Sequence, residues 1–153
     1  MHTATEASAG TSARRVDALL AHYGESHRHP RNEAIHCVAI PLIMLSLLGL
    51  LLAIHPYVAY AFVAASLVYY ARLSLVFLLS MAVLSGIGLA LVHAMGPHVL
   101  PISATIFVLA WIAQFVGHRI EGRKPSFFED LQYLWVGPLF VLSLLFRKLG
   151  IRW

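Results

Sequence analysis

The chain has 153 residues, of which 59% are hydrophobic and 12% charged, with a formal net charge of +4 and a mean hydropathy of +0.77. Soluble domains carry about 25% charged residues, so the balance excludes an ordinary soluble domain. The modest positive charge, with no nucleic-acid motif, fits membrane orientation instead. Cys37 is the single cysteine, which excludes an internal disulfide.

Residues 1–14 are small and polar and read as a disordered tail; residues 15–153 read as one membrane-embedded helical domain. No hydrophobic leader stands at the N-terminus. Residues 13–29 begin as an amphipathic helix with Val16, Leu19, Leu20 and Tyr23 near one face, which suits a helix lying on a membrane surface. Pro30 interrupts it, and Asn32 is the expected N-cap of the next helix. The first span is expected over about Ala34–Ile54, and His55-Pro56 marks a turn. The second, about Tyr57–Ala71, carries Tyr57, Tyr60, Tyr69 and Tyr70 as an interfacial belt. Arg72 closes it. The third span is expected over about Leu73–Met95, and the fourth over about Leu100–Gly117. A polar loop, 118–130, leads to a last apolar segment, 131–146, with Arg147, Lys148 and Arg152 after it.

No Asp, Glu, Lys or Arg stands between Glu33 and Arg72 or between Arg72 and Arg119. Uncharged apolar runs of this length read as transmembrane helices. The expected fold is therefore an all-α integral membrane bundle of four spans. The turns near 55–56 and 95–98 lack Lys and Arg, so the positive-inside rule places the N-terminus and the 118–130 loop in the cytoplasm. The bacterial inner membrane is the expected location. The last segment carries Gly137-Pro138 at its middle and cations after it. It is expected as a bent or re-entrant hairpin, with a plain fifth crossing as the alternative.

Topology also sorts the histidines. His55, His93 and His98 fall at the outer end; His22, His27, His29, His36 and His118 fall at the cytoplasmic end. A lone histidine at a helix end is ordinarily a cap or a solvated group. His27, His36 and His118 differ because they reach one side of the membrane from separate segments. Ionisable groups at a membrane edge are costly and point to function. Gln114, His118 and Glu121 share a helical stripe by their spacing of three and four. If the first and fourth spans are neighbours, three imidazoles and a carboxylate meet at one depth. That ligand set suits iron, zinc, manganese or copper. Asn32 and Gln114 are expected to orient the rings from behind. Glu121 is also placed to pair with Arg119, Arg123 or Lys124.

Two motifs carry a resemblance. They are Tyr23-x3-His27-x4-Asn32-x3-His36-x4-Pro41 and Trp111-x2-Gln114-Phe-x-Gly117-His118-x2-Glu121-Gly-Arg-Lys-Pro125, with Gly137-Pro138-Leu-Phe140 after them. Over roughly residues 15–147 the chain resembles the Mpo-like family of small bacterial and fungal membrane proteins. A fungal member is an iron(II)-dependent dioxygenase that shortens 2-hydroxy fatty acids by one carbon. The resemblance implies that activity here, with a long-chain 2-hydroxy fatty acid and O₂ as substrates and the bilayer as partner. It implies His27, His36 and His118 as ligands of Fe(II), with Glu121 as a further candidate; Zn(II) is the alternative occupant. Glu121 and Tyr23 are the expected catalytic groups, and Arg119, Arg123 and Lys124 the expected carboxylate-binding ones, since guanidinium geometry favours a carboxylate.

Two rivals come from other classes. A small transporter for a metal ion or proton needs a relay through the bilayer, yet the uncharged spans offer none. A structural membrane protein with an inert zinc site needs four filled protein ligands.

Overall fold

The computed structural model describes residues 15–122, 131 and 133–153. The expected tail, 1–14, and the loop residues 123–130, with Arg123 and Lys124, lie outside them. Every regular element among the described residues is helical. In order they are α1 (residues 15–24), α2 (Pro30–Ile54), α3 (Pro56–Ala71), α4 (Leu75–Ala94), α5 (Val99–Ile120) and α6 (Val136–Leu149), with a 3-10 turn, Gly96–His98, before α5.

Three stretches are long and apolar enough to cross a membrane: Pro30–Ile54, Leu75–Ala94 and Gly96–Ile120. α3 is apolar but has 16 residues, a rise of about 24 Å against a hydrocarbon core of roughly 30 Å.

Histidine and proline start two of the helices. His29 caps α2 by accepting from the Arg31 N–H, and His55 caps α3 by accepting from the Tyr57 N–H, with Pro30 and Pro56 in the first turns. Proline suits that position because its fixed φ is helical and its missing N–H has no helical partner there anyway. Pro30 thus opens α2 rather than interrupting a helix, and Asn32 lies inside the first turn instead of capping it. At the other end of α5, Gly122 has φ 77°, the left-handed residue that stops a helix.

α2 packs most extensively on α5. Their close approach needs small residues. A Cβ at Gly49 would collide with the Ser103 side chain, and one at Gly117 would collide with the Asn32 amide oxygen.

α1 presents Val16, Leu20 and Tyr23 to the protein, not to a lipid surface. They join Leu139, Phe140 and Phe146 of α6 and Tyr70, Leu73 and Phe77 around the α3–α4 corner in one core. The approach to α6 enters the bundle at depth. Leu134 packs on Ile43 and Trp111, and the Trp135 indole donates to the Ser66 hydroxyl at 2.9 Å. α6 then runs back toward α1. Gly150, with φ 68°, ends it, and Trp153 packs on Phe77 and donates to the Asp17 carboxylate at 3.1 Å. The same segment covers Tyr70. This residue is fully buried and donates to the Trp135 carbonyl at 3.1 Å, whereas Tyr57 at the opposite end of α3 is 75% exposed. Tyr70 is therefore a core residue and not part of an interfacial belt.

Replacing Gly49 by Leu should lower stability by about 1–3 kcal/mol, the usual cost of overpacking. Thermal unfolding of the detergent-solubilised protein measures it; an unchanged midpoint would mean that α2 and α5 do not pack this closely.

Candidate metal centre

Three buried histidines from three segments meet at one end of the α2–α5 pair. α1 ends in a turn in which the His27 N–H bonds the Gly24 carbonyl at 3.0 Å. That turn brings His27 back against the start of α2. His36 comes from the second turn of α2, and His118 from the last turn of α5. One nitrogen from each ring lies within 4.8 Å of the others. Ring centroids are separated by 4.2 Å for His27–His36, 5.0 Å for His36–His118 and 5.6 Å for His27–His118.

The backbone sets how two rings face the centre. His27 Nδ1 lies 2.8 Å from the Tyr23 carbonyl, and His36 Nδ1 lies 2.9 Å from the Asn32 carbonyl. A carbonyl oxygen only accepts, so Nδ1 carries the proton and Nε2 of the neutral ring presents its lone pair. Both Nε2 atoms are buried. Metal-ligating histidines are held in this way, with the second nitrogen donating to a carbonyl or carboxylate. The residues therefore fit a divalent transition metal, and three imidazoles suit iron, zinc or copper alike.

The neighbours of the triad do several things. The Tyr23 ring stacks on His27 with centroids 4.3 Å apart and planes 13° from parallel, and Phe140 lies over both. Asn32 supports His36 through its carbonyl, while its amide N–H group donates to Glu121 at 3.0 Å and to the Ser26 carbonyl at 3.3 Å. Gln114 stands one turn before His118, and its buried amide oxygen has no hydrogen-bond partner among the described residues. Gly117 lets α5 approach so closely that a Cβ would stand 3.3 Å from the His36 ring. Its spacing in the sequence suggests no such role; the only signal is its place directly before His118.

Glu121 caps the end of α5 and latches it to the turn that carries His27. One carboxylate oxygen accepts from the Arg28 N–H at 3.0 Å; the other accepts from the His29 N–H at 2.9 Å and from Asn32. Burial pushes this carboxyl up, but the hydrogen bonds from His29, Asn32 and Arg28 and the nearby His27 outweigh it. Its pKa lies below the ordinary 4.5. Arg119 is exposed on α5 beside His118. The other carboxylate-binding candidates, Arg123 and Lys124, lie outside the described residues.

A model of the Mpo1-like family, described as 2-hydroxy-palmitic acid dioxygenase Mpo1-like, matches residues 13–149. The chain belongs to this family. It is also similar to the 2-hydroxy-palmitic acid dioxygenase MPO1 of Saccharomyces cerevisiae, 29% identical over 138 residues that cover 86% of this chain and 79% of that protein. No solved structure matches the chain. The family match takes in all three histidines of the cluster, along with Tyr23, Asn32, Gln114 and Glu121.

Two cavities lie near the centre, neither of them lined by its histidines. A small one of about 20 Å³ is bordered by Tyr23, Gln114, Trp111, Tyr133 and Gly137. A larger one of about 250 Å³ lies between α2, α3, α4 and α6. Ile40 and Met44 line both.

His118→Ala should abolish binding of Fe(II) or Zn(II) to the purified protein, read by metal analysis after dialysis; full retention of metal would remove His118 from the ligand set. Glu121→Gln tests the latch. A carboxyl whose pKa is lower in the fold than in the unfolded chain stabilises the fold above the unfolded value. That contribution fades as the pH falls toward the folded value. The variant should therefore be less stable than the parent at neutral pH, by less than about 1 kcal/mol because solvent screens this partly exposed carboxylate, and the difference should shrink below about pH 4. A gap that is constant with pH would show that the charge of Glu121 contributes nothing.

Proposed function

We propose that the protein is an Fe(II)-dependent dioxygenase that uses O₂ to shorten long-chain 2-hydroxy fatty acids by one carbon. The observation that carries this reading is the cluster of three buried imidazoles, two of them oriented by backbone carbonyls, in a chain whose family is described as acting on a 2-hydroxy-palmitic acid. His27, His36 and His118 hold the metal through nitrogen. Three protein ligands leave coordination positions for substrate, as a catalytic rather than a structural site does. When bound, the iron supplies O₂ activation and a template for the hydroxyl and carboxylate of the substrate.

The remaining roles fall to the chain's own side chains. Tyr23 and Phe140 wall the site on the α1 and α6 sides and keep water from His27. Gln114 offers its amide oxygen to the 2-hydroxyl. Arg119, with Arg123 and Lys124 after it, draws the carboxylate to the membrane edge. Glu121 holds α5 against the His27 turn instead of moving a proton, because both of its oxygens already accept hydrogen bonds.

In the bilayer, α2 to α5 make four crossings, α3 being the short one. α6 is a re-entrant helix: its approach packs at depth on Ile43 and Ser66, and its end returns to Asp17. The N-terminus and the metal centre face the cytoplasm of a bacterial inner membrane.

The test is anaerobic reconstitution with Fe(II), then addition of O₂ and 2-hydroxyhexadecanoic acid. The expected product is the acid one carbon shorter, formed by the parent and not by His118→Ala. A metal-loaded protein that yields no such acid would end the substrate assignment, and equal turnover with Zn(II) would end the iron assignment.

A further inference from the structure

We propose that the two adjoining cavities form one substrate slot, in which the acyl tail of a long-chain 2-hydroxy acid lies between α2, α3, α4 and α6 and not in the groove between α2 and α5. The inference rests on the proposed dioxygenase function and adds where the tail goes and what measures its length. Four observations carry it.

The small cavity neighbours the histidine cluster through Tyr23. Tyr23 stacks on His27 and borders the cavity, and Gln114, 4% exposed, borders it with a buried amide oxygen that has no hydrogen-bond partner among the described residues. A buried acceptor of this kind costs free energy until a donor reaches it, and the substrate hydroxyl is such a donor.

The small cavity and the large one share part of their walls. Ile40 and Met44 line both. Gly137 sits at the junction, where even a Cβ would come within 3.2 Å of Ile40.

The large cavity suits a hydrocarbon. Its polar wall groups Ser66 and Tyr70 are already engaged: Ser66 donates to the Phe62 carbonyl and accepts from Trp135, and Tyr70 donates to the Trp135 carbonyl. Apart from Ser85, what remains is aliphatic, aromatic and thioether surface, which suits an apolar ligand.

The direction also fits. From Ile40 to Leu48 the cavity tracks α2 for about 12 Å, away from the histidines. An amphiphile with its head at the metal would have its tail there. A rival place exists on the opposite face of α2, an open groove with α5 lined by Val38, Leu42 and Leu109. No residue of this groove borders the cavity at Tyr23 and Gln114, whereas the larger cavity shares Ile40 and Met44 with it.

Ser85 lines the slot on α4 and is half buried, which makes it a specificity-determining position. A phenylalanine there would block the far half. Val83, on the same helix and 63% exposed, is the control.

Two measurements on the full-length protein in lipid nanodiscs test the slot. The first uses 2-hydroxyhexadecanoic acid with a photoreactive diazirine at the tail end, and needs no turnover. Labelling of Leu48 or Phe62 supports the slot; labelling confined to Val38, Leu42, Leu109 or other exposed residues, or no labelling, overturns it. The second compares chain lengths. Ser85→Phe should lower kcat/KM for 2-hydroxyhexadecanoic acid about tenfold, as the loss of roughly two buried methylene groups does, and change that for 2-hydroxyoctanoic acid less than about twofold. Val83→Phe should change neither. Equal losses on both acids, or none, in a Ser85→Phe protein that binds metal normally would overturn the slot. If the parent protein turns over neither acid, the proposed function fails, and the labelling pattern still decides where the tail lies. If Ser85→Phe does not fold, the labelling decides alone.

Discussion

The contact between α5 and α2 at Gly117 fixes the position of everything else in the site. His118 hangs from α5 and His36 from α2, and the glycine lets their backbones come close enough for the rings to face each other. Asn32 lies in the same contact. Its carbonyl holds His36, and its amide reaches Glu121, whose carboxylate in turn holds the backbone of the turn that carries His27. The third ring is thus positioned by the partners of the first two. A buried polar network of this kind stands or falls together, because each member left unsatisfied in a medium of low dielectric is expensive.

Much of this was legible in the residues. Two long uncharged stretches required membrane-length helices, and the distribution of cations placed His27, His36 and His118 at one end of them. Their convergence requires the first and fourth spans to be neighbours, which the packing of α2 on α5 supplies. Other features were not legible, for physical reasons. Glu121 lies among Arg119, Arg123 and Lys124 in the chain, and spacing shows only neighbours on the same helix. Its real partners, Arg28, His29 and Asn32, are about ninety residues away. Tyr70 has the helix-end position of a belt tyrosine; only the arrival of Trp135 from a distant segment buries it. Pro30 carries no mark of whether it ends one helix or begins another until the cap at His29 forms.

The bundle also keeps its polar chemistry at one end. The opposite end has a His93–Tyr60 pair and a His55 cap, each with a local hydrogen bond. Between the ends the described helices bury serines and aliphatic side chains with no acid or base. A proton relay across such a body would lack stepping stones, whereas an amphiphilic ligand with one polar end matches it.

The indole of Trp153 on Asp17 joins the last described residue to the first turn of the first described helix. α1 is likewise roofed by α6, so a helix synthesised early is covered by one synthesised late. The ring of His27, seated just after α1 and beneath Phe140, has no lid until α6 has been made. The cover over His27 is therefore added late in synthesis, by contacts between the two ends of the described chain.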